Sequence, residues 1–250
     1  MSLKLFSRMM FPGSYMKATK ALNSKWFMSS MPVNLRLGDT APDFNADTSL
    51  GKINFYEYLG DSWGILFSHP ADYTPVCTTE LGMVEKLKNE FDKRNVKCIG
   101  LSCDSNEDHK GWINDIIQTQ SLSCKTLSYP LIADETREIA SLYGMLDQTN
   151  INKEGLPLTV RSVYIIGNDK LIKLIITYPA STGRNFDEIL RCIDSLQLTA
   201  NYKVATPVNW KTGDDCVIVP SIKSEDAKTI FPKGFNEVKP YLRMTPQPNI

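Results

Sequence analysis

The sequence predicts an α/β fold with a small C-terminal appendage, and three observations carry that reading. Apolar, strand-like runs alternate with amphipathic, helix-like ones between residues 63 and 118. A β-hairpin signal and a closing helix follow between residues 161 and 198. Beyond Thr206 the texture changes, with prolines at 207, 220, 232, 240, 246 and 248 punctuating short pieces. At 250 residues the chain has room for one large domain, or for a core domain with an attachment.

Taken in order, residues 63–68 (Trp-Gly-Ile-Leu-Phe-Ser) form a short apolar run bounded by Gly60 and Pro70, the pattern of a buried strand. A helix is expected over 78–94, where Leu81, Val84, Leu87 and Phe91 fall on one face. Residues 96–102 read as a second strand and 106–118 as a helix with Trp112, Ile113, Ile116 and Ile117 on its apolar side. Strand, helix, strand, helix is a βαβ unit, which implies parallel pairing and a right-handed crossover. A short helix is expected at 135–143. Residues 161–166 and 171–176 are two apolar strands joined through Gly167-Asn168-Asp169-Lys170. Residues 185–198 close the core with a helix bearing Phe186, Ile189, Leu190, Ile193 and Leu196. The expected organisation is therefore a basic extension at 1–33, a core domain at 34–203 and a C-terminal domain or arm at 204–250.

Composition sets several function classes aside. Formal net charge is zero, and no lysine or arginine stripe carries interleaved aromatics, so nucleic acid is not an expected partner. No apolar run reaches 18 residues, so no transmembrane segment is expected. The six cysteines form no CxxC pair and the chain has two histidines, a poor inventory for a zinc site or a disulfide scaffold. No cofactor and no metal are expected. Residues 1–38 contain no acidic residue but carry Lys4, Arg8, Lys17, Lys20, Lys25 and Arg36 among scattered serines. That is the composition of an organelle transit peptide. The expected destination is the mitochondrion, or the cytoplasm if Met31 is the working start.

The stretch Thr74-Pro75-Val76-Cys77-Thr78-Thr79 puts one cysteine where a strand ends and a helix begins. A helix start presents unpaired N–H groups and partial positive charge, so a thiol placed there tends to ionise below its free value of about 8.5. Only the thiolate is strongly nucleophilic. The competing reading, a cysteine that fills core space, is weakened by Pro70, Thr74 and Pro75, which break the strand just before it.

A βαβ unit with a reactive residue at its first helix start, followed by a hairpin and a final helix, is a thioredoxin-like plan. Where redox thioredoxins carry two cysteines three apart, this chain reads Thr74-x-x-Cys77. The run Ser68-His69-Pro70-Ala71-Asp72-Tyr73-Thr74-Pro75-Val76-Cys77-Thr78-Thr79-Glu80-Leu81 resembles the active-site motif of the peroxiredoxins, specifically their one-cysteine subfamily. Residues 155–161, 178–188 and 204–210 are similar to further motifs of that family, as are Phe231-Pro232-Lys233-Gly234 and Tyr241-Leu242-Arg243. The resemblance runs from about residue 34 to about residue 248.

That resemblance implies a thiol-specific peroxidase acting on hydrogen peroxide and organic hydroperoxides, phospholipid hydroperoxides among them. Cys77 would supply the attacking sulfur and pass through a sulfenic acid. Thr74 would hydrogen-bond thiolate and peroxide, and Arg161 would steady both the thiolate and the leaving oxygen. Pro70 would shield the sulfur from water, Glu80 would orient an arginine through a bidentate ion pair, and Arg184 would be a second cationic neighbour. His69 joins them as a supporting residue. Two-cysteine relatives resolve the sulfenic acid with a Val-Cys-Pro motif near the C-terminus, which is missing here: residues 205–210 read Ala-Thr-Pro-Val-Asn-Trp. An external thiol reductant is implied, glutathione or thioredoxin, and a homodimer is the expected assembly.

Two rival roles come with the family. Gly60-Asp61-Ser62-Trp63-Gly64 fits G-x-S-x-G, and some one-cysteine members are credited with a phospholipase A2 activity using such a serine, a histidine six residues upstream and a later aspartate. Ser62 and Asp169 match, but the histidine position holds Tyr56, whose pKa near 10 makes a poor base at neutral pH. The motif also precedes a strand, whereas a nucleophile elbow follows one. A holdase chaperone or redox-relay role is the non-enzymatic alternative.

Overall fold

A computed structural model describes residues 35–248; the basic extension expected at 1–33 lies outside them. The first elements are β1 (Asn45–Thr48), β2 (Gly51–Asn54) and α1 (Phe55–Leu59). Next come β3 (Trp63–Ser68), α2 (Pro75–Lys86), α3 (Lys88–Lys93), β4 (Val96–Ser102) and α4 (Asn106–Thr119). The chain continues through β5 (Leu131–Ala133), α5 (Glu138–Leu142), β6 (Leu146–Ile151), β7 (Pro157–Thr159), β8 (Arg161–Ile166), β9 (Ile172–Tyr178) and α6 (Phe186–Asn201). Its C-terminal part holds β10 (Val204–Ala205), β11 (Cys216–Ile218), α7 (Ser224–Ile230), β12 (Asn236–Lys239) and β13 (Leu242–Thr245).

Seven strands form the central sheet in the order β2-β1-β5-β4-β3-β8-β9. β3, β4 and β5 run parallel, the consequence of the α2–α3 and α4 crossovers, while β8 and β9 add an antiparallel hairpin. Alternation along the strands divides the core into two layers. Ile65, Phe67, Val163 and Ile165 face α2, α4 and α6, meeting Leu81, Val84, Trp112, Ile116, Ile189 and Ile193. Leu66, Ile99, Leu101, Tyr164 and Ile166 face the other way, onto Phe44, Phe55, Leu59, Ile139 and Tyr143. Helices on both faces of a mixed sheet make this an α/β fold of the thioredoxin type.

The helix expected over 78–94 begins three residues earlier and is broken. Pro75 occupies its first turn, where a missing N–H costs nothing and the fixed φ suits the helix. Leu87 then separates α2 from α3. The helix expected at 135–143 contracts to Glu138–Leu142. Beyond α6, the four-stranded sheet β10-β11-β13-β12 closes a separate core of Val204, Trp210, Cys216, Ile218, Ala227 and Phe231. Leu198 of α6 shares that core and ties it to the main helix layer. β9 ends the central sheet; residues 38–41 bond its beginning, through Gly38 N to Ile172 O (2.8 Å) and Ile172 N to Asp39 O (2.9 Å). Among the described residues no helix is long and apolar enough to cross a membrane.

Candidate active site

β3 delivers the chain to Ser68, a loop turns through residues 69–74, and α2 begins at Pro75 with Thr74 as its N-cap. Cys77 therefore lies in the first turn of α2. Its side chain is fully buried, and all six cysteines are free thiols. Thr74 makes no capping hydrogen bond; its hydroxyl donates to Ala71 O at 2.9 Å. The Thr74 proton is thus committed to the loop, and what it offers a ligand is an oxygen lone pair. Pro70 is buried.

Arg161 opens β8, the strand beside β3, so its side chain crosses toward the start of α2. Arg161 Nη1 donates to Cys77 Sγ at 3.2 Å and to Glu80 Oε2 at 2.7 Å. Its Nε and Nη2 both donate to Ala180 O, at 3.0 and 2.6 Å. Glu80 stands one turn after Cys77 on α2 and holds a second guanidinium as well. Arg184 reaches Glu80 through its backbone N (2.7 Å), Nε (3.2 Å) and Nη2 (2.7 Å). Arg184 Nη1 donates to Ser68 O at 2.9 Å and Ser162 O at 3.3 Å, binding together the strands that carry the site. These three charged side chains are at most 4% exposed. Burial presses the Arg184 guanidinium below its ordinary value against the pull of Glu80. The geometry thus gathers Cys77, Arg161, Glu80 and Arg184 into one buried cluster, with Glu80 and Arg184 alone 104 residues apart.

His69 belongs to an adjoining group. Its Nε2 lies 2.8 Å from Asp72 Oδ1, while the other carboxylate oxygen lies 2.6 Å from His109 Nδ1. Burial works to raise Asp72, but hydrogen bonds from His109 and His69 outweigh it and hold the carboxyl at about 2. His109 moves the opposite way: burial alone would lower it, yet the Asp72 hydrogen bond and charge raise it. His69, Asp72 and Asp104 also have ligand-type atoms within 4.8 Å of one another. Asp72 already spends both oxygens on the two imidazoles, so the group is closed by hydrogen bonds. Sequence reasoning missed Asp72 and His109; the signal was there in the His69-x-x-Asp72 spacing and in a chain with two histidines.

The remaining thiols lie outside this cluster. Burial raises Cys98, Cys124 and Cys216, pushes Cys103 up to about 12 and takes Cys192 to about 11. Such thiols stay protonated near neutrality and are poor nucleophiles. The Ser62 constellation is not assembled. Ser62 Oγ donates to Asn95 Oδ1 at 2.8 Å, the Tyr56 hydroxyl donates to Ala41 O, and Asp169 binds Lys173 Nζ (2.6 Å) and Leu171 N (3.1 Å). Burial, with the charge of Asp43, raises Tyr56 still further from use as a base. Gly64 has a packing reason of its own, since a Cβ there would stand 2.6 Å from Leu59 Cδ2.

Residues 37–175 match the AhpC/TSA family and residues 195–234 match the C-terminal domain of 1-Cys peroxiredoxin. The 1-Cys peroxiredoxin of Dictyostelium discoideum is 56% identical over 215 residues, covering 86% of this chain and 86% of that protein. Peroxiredoxin-6 of Gallus gallus is 58% identical over 220 residues, covering 86% of this chain and 98% of that protein. Among solved structures, a mutant Peroxiredoxin 6 of Arenicola marina superposes with a TM-score of 0.82 at 53% identity, covering 87% of this chain and 100% of that one. A yeast mitochondrial 1-Cys peroxiredoxin gives 0.79 at 54% identity, covering 85% and 99%.

Proposed function

The chain belongs to the peroxiredoxins of the AhpC/TSA family and is a thiol-dependent peroxidase; from that premise we propose that Cys77 is its peroxide-reducing residue, that it passes through a sulfenic acid, and that an external thiol resolves it. The observation that carries the assignment is the 3.2 Å hydrogen bond from Arg161 Nη1 to Cys77 Sγ, within a buried cluster built on Glu80. A permanently charged donor beside sulfur favours the thiolate form and aims its lone pair.

The thiolate attacks the terminal oxygen of R′OOH. A sulfur–oxygen bond forms, the O–O bond breaks, and R′O⁻ leaves to take up the proton that the thiol gave up. Products are Cys77–SOH and R′OH. Arg161, already oriented by Glu80 and Ala180 O, can follow the charge from sulfur to the leaving oxygen without reorganising, which is the source of its catalytic value. Thr74 Oγ1, whose own proton is turned to Ala71 O, can accept a hydrogen bond from the peroxide. A second thiol then attacks the sulfenic sulfur and expels water, and another closes the cycle by thiol–disulfide exchange.

Burial raises the other five thiols, which supports an external reductant. So does the yeast mitochondrial relative, whose structure concerns thiol resolving through glutathione and thioredoxin systems. Substrates are hydrogen peroxide and organic hydroperoxides, including those of phospholipids. β9, largely apolar and an edge of the central sheet beyond the Ile172 end that residues 38–41 cover, supports a homodimer in which one sheet continues into the next, since an apolar edge invites pairing. The acid-free extension supports import into the mitochondrion.

The test is single-turnover peroxide reduction on the pre-reduced chain, with mass spectrometry on Cys77 and a sulfenic-acid trap. One trapped sulfenic acid per chain at Cys77, and multiple turnovers only with added glutathione or thioredoxin, is the expected result. Sustained turnover without any added thiol would overturn the external-reductant assignment, and labelling at another cysteine would overturn Cys77.

A further inference from the structure

Three segment ends meet in the C-terminal part of the chain and leave a hollow of about 220 Å³ between them. The first is the end of α6, where Asn201 is the last helical residue and Tyr202 is already extended. The second follows α7. Its C-cap, Phe231, is 4% exposed and anchors a turn through Pro232 and Lys233. Gly234, at φ +83°, closes that turn with its N–H on Phe231 O at 2.9 Å. The third is the end of β13, where Thr245 Oγ1 donates to Gly234 O at 2.9 Å and the chain leaves through Pro246 and Pro248. None of these residues belongs to the Cys77 cluster.

The walls of the hollow are apolar. Pro232, Pro246 and Pro248 have no N–H and present ring carbons. Tyr202 and Ile230, 38% and 44% exposed, add an open apolar lip. At the rim stand two cations. Lys203 and Lys233 both line the hollow, and among the described residues neither ammonium has an ion-pair or hydrogen-bond partner. Asn201 and Thr245 spend their side-chain donors on Gln197 O and Gly234 O. Among the described residues no carboxylate lines the space. The whole chain carries 28 basic and 28 acidic residues, so the excess of positive charge is a property of this place.

We propose that this hollow is a binding site for an amphipathic carboxylate of the medium-chain fatty acid class. Its tail lies against the prolines and Ile230, and its carboxylate sits between Lys203 and Lys233. An inorganic anion would answer the lysines and leave the apolar walls wet. A neutral apolar ligand would cover the walls and leave both cations unanswered. The space exceeds the roughly 150 Å³ in which an apolar cavity takes up benzene, so it accepts most of an eight-carbon tail. The site is separate from the peroxide chemistry and stands whether or not Cys77 is the residue that reduces peroxide.

The test is isothermal titration calorimetry on the full reduced chain with butyrate, hexanoate and octanoate, and with octanol as the uncharged tail. One octanoate should bind per chain. Affinity should rise about fourfold for each methylene added between butyrate and octanoate, and it should weaken as salt is raised. Octanoate should bind about tenfold tighter than octanol, the worth of two exposed ion pairs. The double variant Lys203→Gln, Lys233→Gln should erase that gap while leaving octanol binding and peroxide consumption unchanged. Ile230→Asp, at a position already 44% exposed, should weaken octanoate and octanol alike. Octanoate that binds no tighter than octanol, or that ignores the two lysines, would overturn the anionic half of the proposal. An affinity independent of tail length would overturn the apolar half, and the absence of saturable binding would overturn both. Should Ile230→Asp fail to fold, the length series on the wild-type chain still decides the apolar half. Vesicles of phosphatidylglycerol and phosphatidylcholine are the last arm: lysine-dependent binding to them, with none to free octanoate, would make this a lipid-surface contact and refute the site.

Discussion

Replacing Arg161 with lysine keeps one positive charge beside Cys77 and removes the fork that distributes it. In the wild-type chain Arg161 Nη1 serves sulfur and Glu80 together, while Nε and Nη2 lock the group onto Ala180 O. A single ammonium cannot occupy all of those positions. The bare attraction between unit charges at the observed 3.2 Å is about 5 kcal/mol at an effective dielectric of about 20, and lysine retains much of it. What it loses is the aligned, charge-assisted hydrogen bond, worth about 1.5–3 kcal/mol. At about 1.4 kcal/mol per decade, that is a fall of about 10- to 150-fold in the rate of Cys77 oxidation. Arg161→Ala loses charge and fork together and should fall further. The assay is stopped-flow single-turnover oxidation, with thiolate absorbance followed in each variant so that rates are compared at full ionisation. If Arg161→Lys keeps most of the wild-type rate, guanidinium geometry is irrelevant and a nearby positive charge is sufficient.

Cys77→Ser should abolish peroxide turnover, whereas serine at Cys98, Cys103, Cys124, Cys192 or Cys216 should leave single-turnover rates within about threefold, since burial holds those thiols protonated; a second indispensable cysteine would end the one-cysteine assignment. Light scattering of the reduced chain at micromolar concentration should give twice the mass of one chain, and proline in place of Leu174 on β9 should shift it toward a single chain. A monomeric wild type would refute the edge-pairing argument. Asp72, held at about 2 against an ordinary 3.8, contributes stability that is complete above its unfolded value and is lost as pH falls through its folded one. Urea midpoints should therefore drop between about pH 4 and about pH 2, and His109→Gln should lose its Asp72 contribution at higher pH; parallel acid curves for the two proteins would show that the pairing is not felt.

Much of the central sheet was legible because its strands are apolar and its helices amphipathic. The 63–68, 96–102 and 161–166 runs coincide with β3, β4 and β8. β1 and β2, reading Asn-Ala-Asp-Thr and Gly-Lys-Ile-Asn, carry no such pattern and exist through pairing with each other and with β5. α2 starts before the first residue of its apolar face, because Pro75 suits a first helical turn as well as it ends a strand. Its break at Leu87 carries no glycine or proline to announce it. In the site, Cys77 could be named from its helix-start context and the motif around it. The double pairing of Glu80, and the His109 contact to Asp72 across 37 residues, needed the folded chain.

The Glu80 cluster also sets a ledger of charge across the redox states of the sulfur. Two guanidiniums, from Arg161 and Arg184, face one carboxylate, which leaves one positive charge in a region that is almost fully buried. In the proposed cycle a Cys77 thiolate would neutralise it. A sulfenic acid is neutral, so oxidation would re-expose the surplus cation, and the oxidised site would draw in the next anion that can reach it. A reductant arriving as thiolate would answer that demand and move the cycle forward. A second peroxide would answer it too, because the sulfinic acid it produces is an anion that would restore the balance for good. An arrangement suited to a thiolate would therefore also make over-oxidation a resting place, and the abundance of reducing thiol would decide which way the sulfur goes.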